Sequence, residues 1–238
     1  MTAAAKAAEH DQHVKLVNGQ KAIPMLKASG LELRAVLGAM GKDDMRSYLN
    51  YLFLDPGPTG SFEGDGAQIV GCDGYVLARC DAIIDPEFGV KAINRLIEAR
   101  RKAGMNNPEQ ILFRPVKAPV KRDTLVSIDL ELGMMWPTDN TSRDPISVLV
   151  CQEGWKYPNW RKVDAWADND WVRENTARRI AMDFGIVGRV FPDAKKVIIE
   201  PGLSVREKGK RKDRPMRITG LNSEYDSLRV TLMECMSE

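Results

Sequence analysis

The sequence predicts an α+β protein in which helices cover one face of antiparallel sheets and in which a unit of a strand, a helix and three strands is repeated. Two observations support this class. Residues 66–80 predict a β-hairpin, because Asp73-Gly74 separates two segments with alternating apolar residues. Amphipathic helical patterns stand beside extended segments at residues 29–41, 87–103 and about 168–185. The order strand, helix, strand, strand, strand therefore recurs along the chain.

The first helix is predicted by its two ends and by its spacing. Ser29 and Glu32 form a Ser-x-x-Glu capping box, in which each side chain can satisfy a free backbone N–H of the other residue. Apolar residues then repeat at helical spacing as far as Met40, and Gly41 suits a C-terminal cap. We expect the apolar stripe to pack on a sheet and Glu32 to face solvent.

The second and third helices carry basic residues opposite their apolar sides. In the second, Ile93, Leu96 and Ile97 lie on one side, and lysine and arginine occupy the other. An ordinary solvated face explains this pattern, and a face turned towards phosphate groups is the sharper alternative. The third helix is expected to end at Gly185 and to carry arginines outward.

Further extended segments are predicted at residues 110–114, 125–136, 146–152, 196–200, 216–219 and 228–233. Between them, residues 206–214 read R-E-K-G-K-R-K-D-R. A run of charges cannot be buried, and Gly209 loosens the backbone, so we expect an exposed, mobile loop there.

Composition limits the class of protein. With 238 residues, 43% of them hydrophobic, the chain is long enough for a substantial core, and a net charge of +2 does not by itself indicate a nucleic-acid binder. The cysteines form no C-x-x-C pair and lie mostly in apolar segments, which favours reduced thiols and a cytoplasmic protein: Cys72, Cys80, Cys151 and Cys235. Residues 1–18 predict a flexible arm, and neither a signal peptide nor a membrane span is expected.

Catalytic constellations are missing from the sequence. Both histidines, His10 and His13, fall in the predicted arm, and no nucleotide-binding loop, nucleophile elbow or zinc-protease motif occurs. Asp129 and Glu131 alternate along a predicted strand and are expected to share a solvated face. We therefore expect no enzyme activity, no metal site and no cofactor.

The hairpin I-V-G-C-D-G-Y-V-L-A at 69–78 and the run D-L-E-L-G at 129–133 resemble two hairpins of one known family. This family is the bacterial DNA sliding clamp, the ring-shaped beta subunit that makes the replicative polymerase processive. Residues 154–163, G-W-K-Y-P-N-W-R-K-V, resemble the segment leading out of the clamp's middle domain, and residues 214–219 with 228–236 resemble its C-terminal end. The chain is much shorter than a three-domain clamp, so a phage-type or otherwise reduced relative would fit its length.

The resemblance implies a non-enzymatic ring that encircles duplex DNA without sequence preference, with helices facing the phosphates. The predicted domains are then a clamp-like domain at 19–165 and a C-terminal clamp-like unit at 166–238, with a boundary near 85 as the alternative. The expected DNA-binding residues are Arg95, Arg101, Lys102, Arg178 and Arg179 on the helices and Lys208, Lys210, Arg211 and Lys212 in the basic segment. The expected partner-binding residues are Leu232, Met233, Cys235 and Met236. The implied partners are double-stranded DNA, DNA polymerase or other replication proteins, and further copies of the chain.

Three questions stay open at the level of sequence. The chain has three helical units, whereas a clamp domain has two, so the third is either part of another half-domain or an insertion. A single-stranded DNA binder could use Trp155, Tyr157 and Trp160 with neighbouring basic residues as a stacking platform, although packed aromatic rings are the more ordinary interpretation. A protein interaction module could also keep the clamp fold without forming a ring, and its mass in solution would distinguish it.

Overall fold

The computed structural model describes residues 15–17, 20–22, 24–42, 45–57, 60–62, 67–120, 123–138, 144–161, 184–191, 197–200, 204–207, 210–213, 216–220 and 228–232. Their helices are α1 (Gly30–Gly38), α2 (Phe88–Lys102), α3 (Phe184–Val190) and one 3₁₀ turn at Ser47–Asn50. Their strands are β1 (Lys15–Val17), β2 (Gln20–Ala22), β3 (Leu26–Ser29), β4 (Leu52–Asp55), β5 (Gln68–Cys72), β6 (Val76–Asp81), β7 (Ile83–Ile84), β8 (Ile111–Pro115), β9 (Leu125–Asp129), β10 (Met134–Pro137), β11 (Ile146–Val150), β12 (Val197–Glu200), β13 (Ser204–Glu207), β14 (Lys210–Asp213), β15 (Met216–Gly220) and β16 (Arg229–Leu232).

Twelve of these strands form one sheet in the order β12-β15-β16-β6-β5-β4-β8-β11-β10-β9-β3-β7. Each neighbouring pair in it is antiparallel. The predicted α+β class with antiparallel strands is therefore confirmed. Strand β16 pairs with β6, with Val230 opposite Ala78, so strands from both sides of residue 165 belong to the same sheet.

The first two helical units are related inside this sheet. The strand before each helix pairs with its counterpart, because Leu26 of β3 lies opposite Ile84 of β7. The strand after each helix does the same, because Leu52 of β4 lies opposite Phe113 of β8. Both pairings are antiparallel, as a local two-fold axis would produce. The repeat predicted for these units is thus visible in the strand order.

The two faces of the sheet have different covers. On one, here called the helix face, Leu54 and Ile111 pack in a core with Leu33 of α1 and Ile93 of α2. Because strand side chains alternate, Phe53 and its neighbours point to the opposite side of the sheet, here called the aromatic face. It is covered by five side chains, which we call the aromatic cover: Tyr48, Tyr51, Trp155, Tyr157 and Trp160. Helices α1 and α2 therefore share one face, as predicted.

Helix α1 begins as predicted but is placed by tertiary contacts. The Ser29 hydroxyl accepts the Glu32 backbone N–H at 3.4 Å. The expectation that Glu32 faces solvent is wrong: it is 4% exposed, and its carboxylate accepts the backbone N–H of Leu228 at 3.0 Å. The helix ends at Gly38, three residues earlier than expected, where it meets α3 so closely that a Cβ on Gly38 would lie 2.2 Å from the Arg189 carbonyl oxygen.

Three other boundaries differ from the sequence-based expectation. Helix α3 runs through Gly185 to Val190, so its predicted end is wrong, and residues 168–183 lie outside the described residues. Residues 206–214 were expected to be an exposed, mobile loop, but the described residues among them belong to the antiparallel pair β13–β14, with Arg206 opposite Arg211. Strand β1 falls within the predicted arm and pairs with β2, while residues 1–14 lie outside the described residues.

The turn of the first hairpin is shifted by one residue. Cys72 pairs with Leu77, and the Asp73 N–H donates to the Val76 carbonyl at 3.1 Å, so Gly74 and Tyr75 form the loop. Gly74 takes the positive φ of 96° that this turn requires. The Asp73 carboxylate accepts the N–H groups of Tyr75 and Val76, both at 2.8 Å. Asp73 thus stabilises the turn through its side chain instead of occupying its centre.

Gly71→Ala is expected to lower the free energy of unfolding by about 1–3 kcal/mol, because the added methyl group overpacks the contact between α1 and β5. A Cβ on Gly71 would lie 2.4 Å from the backbone oxygen of Val36. Chemical denaturation measures the loss. Gly188→Ala is the control, because its Cβ would have no atom of the described residues within 4 Å, and it should be neutral or slightly stabilising. Equal losses in both variants would contradict the packing of α1 on β5.

Candidate nucleic-acid interface

Helix α2 is held firmly enough to present a defined outer surface. Its first turn is capped by the Asp85 carboxylate, which accepts the N–H groups of Glu87 at 3.0 Å and Phe88 at 2.7 Å. Gly89 allows close approach to the sheet, since a Cβ there would lie 2.2 Å from the Met25 carbonyl oxygen. Val90 and Ile93 are buried behind it. The opposite side of α2 is left for solvent or a ligand.

The far end of α2 is fixed by a buried arginine. The Arg100 guanidinium donates to the carbonyl oxygens of Cys151 at 2.6 Å, Pro108 at 3.1 Å and Gln110 at 3.2 Å. Burial lowers the pKa of Arg100 from its ordinary value. Arg100 therefore positions the helix and is not available to a ligand.

Four exposed basic residues form a stripe along the outer side of α2: Lys91, Arg95, Arg101 and Lys102. At about 100° per residue, Lys91, Arg95 and Lys102 lie within about 40° of one another around the helix axis. Arg101 lies at the edge of the same side, about 80° from Lys91. At 1.5 Å per residue, the stripe from Lys91 to Lys102 extends about 16 Å. Three of the predicted DNA-binding residues, Arg95, Arg101 and Lys102, are thus brought to one exposed surface.

Three of the four basic residues of the stripe form ion pairs with acidic side chains. Lys91 lies 3.9 Å from Glu87, and Arg101 forms an ion pair with Glu98. Arg95 donates from two nitrogens to the two carboxylate oxygens of Glu131, at 3.0 and 3.2 Å. Lys102 has no ion-pair partner within the described part of the chain. The stripe is therefore a mixed surface with an excess of positive charge.

Glu131 reaches this surface from a turn and not from a strand. Residues 125–137 form two strands, β9 and β10, and the turn between them contains Gly133 at a φ of 64°. Asp129 is buried and accepts the Leu132 N–H at 2.9 Å. The expectation that Asp129 and Glu131 share a solvated face is wrong, because the turn separates them. Nothing in the run D-L-E-L-G indicates that Glu131 contacts Arg95 of α2, 36 positions earlier in the sequence.

Other predicted DNA-binding residues are placed only in part. Lys210, Arg211 and Lys212 lie in β14, whereas Arg178, Arg179 and Lys208 lie outside the described residues. Of the predicted partner-binding residues, Leu232 is the last residue of β16, and Met233, Cys235 and Met236 lie outside the described residues. Their roles stay predictions.

Tyr157 and Trp160 cannot serve in the single-strand platform considered above. Tyr157 and Trp160 are buried, and the Tyr157 ring stacks on Phe53 with their centroids 5.1 Å apart. The Trp160 indole N–H donates to the Asp55 carboxylate at 2.6 Å, and the Arg161 guanidinium lies 4.8 Å from the Trp160 ring centroid. Bases cannot stack on rings whose faces are already covered, so the ordinary interpretation, packed aromatic residues, is correct for Tyr157 and Trp160.

The cysteines that the structure describes are buried free thiols: Cys72, Cys80 and Cys151. Burial raises the pKa of Cys72 to about 11, so its thiol is protonated at neutral pH. Cys235 lies outside the described residues. Among the described helices, no segment is both long and apolar enough to cross a membrane.

Comparisons with known proteins find similarity at the level of structure. No family model and no curated protein matches the sequence. A DNA polymerase sliding clamp from Caulobacter crescentus is similar with a TM-score of 0.33 and 14% identity, over 87% of this chain and 64% of that one. The C. crescentus beta sliding clamp with bound PEG gives a TM-score of 0.31 and 13% identity, again over 87% and 64%. The C. crescentus pol III beta is similar with a TM-score of 0.32 and 15% identity, over 87% of this chain and 65% of that one. The present chain thus spans less than two thirds of the length of these clamps, and such distant similarity leaves its own residues as the basis for any function.

Proposed function

We propose that this chain is a non-enzymatic subunit of a sliding-clamp type, which associates with duplex DNA through the outer side of α2. The observation that carries the proposal is the exposed basic stripe on a helix that is fixed at both ends and packed on one continuous antiparallel sheet. The sliding clamps named above, and the sequence segments that resemble that family, agree with it.

The stripe has the chemistry of a phosphate-facing surface. Duplex DNA carries one negative charge per about 1.7 Å of its axis, so a row of about 16 Å faces several phosphates at once. Lysine and arginine contacts to phosphate position a protein without reading the bases. The surface would therefore bind duplexes of any sequence and would allow movement along them.

A ring around DNA needs more than this one chain. The strands at the two ends of the sheet, β7 and β12, each pair on one side only within the described part of the chain. Exposed sheet edges are sites at which another chain can add. We propose that further copies complete the ring and that replication proteins bind near Leu232. Light scattering tests assembly, and a stable monomer would instead favour an interaction module.

Replacing Arg95, Arg101 and Lys102 together by alanine is expected to weaken duplex binding and to flatten its salt dependence. Each phosphate contact contributes about 0.9 to the slope of log K against log salt, so the slope should fall by up to about 2.7. Fluorescence anisotropy with duplexes of two unrelated sequences, at several salt concentrations, measures both effects.

The matched control replaces Lys42, Lys117 and Lys156, which are exposed and lie outside α2. This control removes the same charge as the triple α2 variant and should change the slope of log K against log salt less than that variant does. Equal changes would show that net charge, and not the stripe, determines binding. Encirclement is tested by comparing how much protein stays bound to closed-circular DNA and to linear DNA. A ring slides off the ends of linear DNA, so equal loss of protein from both would refute the ring.

A further inference from the structure

The acidic partners of the basic stripe suggest how the proposed interface is regulated. Glu87 directly precedes α2, Glu98 lies within it, and both pair with residues of α2 three or four positions away. Glu131 differs, because it belongs to the β9–β10 turn and joins a second element to the stripe through Arg95. The turn is held in place by the Asp129 side chain and by the Val148 N–H, which donates to the Gly133 carbonyl at 2.7 Å.

The geometry of the Arg95–Glu131 pair is the geometry that arginine uses for phosphate. Two guanidinium nitrogens face two carboxylate oxygens at 3.0 and 3.2 Å, and a phosphate group offers a similar pair of oxygens. The two side chains are exposed enough for exchange, at 66% for Arg95 and 37% for Glu131. A phosphate can thus take the place of Glu131 without moving the helix.

We propose that Glu131 is a counter-charge built into the interface, which competes with DNA phosphates for Arg95 and keeps that contact weak. This inference rests on the proposed function of α2. When Arg95 exchanges one anionic partner for another, the net gain from each phosphate is small. Weak, replaceable contacts suit a surface that moves along DNA, whereas a fully unpaired row of arginines would hold it in place.

The test compares Glu131→Gln with Glu153→Gln. Each removes one negative charge, and Glu153 is exposed with no ion-pair partner among the described residues. Glu131→Gln is expected to bind a 30-base-pair duplex more tightly and to steepen the salt slope by about 0.9, which makes its gain about threefold larger at 50 mM than at 200 mM salt. Glu153→Gln should leave the slope unchanged. In an Arg95→Ala background, Glu131→Gln should lose its gain.

The outcomes separate the two proposals. If the wild-type protein binds duplex DNA but Glu131→Gln and Glu153→Gln behave alike, or if the gain persists without Arg95, the counter-charge is refuted and the proposed function stands. If neither wild type nor Glu131→Gln binds at low salt, both proposals fail. Unchanged thermal unfolding of both glutamine variants confirms that the difference arises at the interface.

Discussion

Phe113→Ala is expected to lower the free energy of unfolding by about 3–5 kcal/mol, the usual cost of truncating a fully buried phenylalanine. Phe113 lies in β8 on the helix face, opposite Leu52 of β4 and Val150 of β11. The strand pair β4–β8 joins the two related halves of the sheet, so the cavity would open at the centre of the core. Urea denaturation followed by circular dichroism measures the change.

Val116→Ala is the control for this prediction. Val116 directly follows β8 and is 56% exposed, so its truncation should change the free energy of unfolding by less than about 0.5 kcal/mol. Similar losses in the two variants would mean that β8 does not contribute a buried face, and the described sheet would then be wrong at its centre.

Asp55→Ala is expected to lower the free energy of unfolding by about 2–4 kcal/mol, because it leaves buried hydrogen-bond donors without an acceptor. Asp55 is 4% exposed and accepts the Gly57 N–H at 2.8 Å and the Trp160 indole N–H at 2.6 Å. Its carboxylate also pairs with Arg161. These bonds fasten the segment that carries Trp155, Tyr157 and Trp160 to the aromatic face.

Loss of that attachment should be visible locally as well as globally. Tryptophan emission in Asp55→Ala should shift to longer wavelength at denaturant concentrations where the far-ultraviolet circular dichroism is still native. Asp144→Ala is the control, since Asp144 is exposed and makes no ion pair with a described residue. If Asp55→Ala unfolds as the control does, Asp55 does not hold the aromatic cover in place.

Local patterns in the sequence were sufficient to predict several of the elements. Helix periodicity and charge placement identified α2 and its basic side, and Ser29 identified the start of α1. The alternation around Asp73-Gly74 identified the first hairpin, although side-chain capping by Asp73 moved its loop by one residue. These features depend on residues within a few positions of one another, and such short-range preferences can be read from one chain. The charge run at 206–214, by contrast, did not predict the antiparallel pair β13–β14, because charge excludes burial but does not exclude strand pairing.

The candidate interface was decided by contacts between residues far apart in sequence. Glu32 is buried because it accepts a bond from Leu228, 196 positions away, and Trp160 is unavailable to bases because Asp55, 105 positions away, fixes its ring. Arg95 meets Glu131 because the β9–β10 turn is brought to the outer side of α2. Neither periodicity nor composition contains this information, since packing and not local preference determines which charges meet. The sequence by itself therefore determined where positive charge is exposed on α2, and only the tertiary structure determined how much of that charge is already paired.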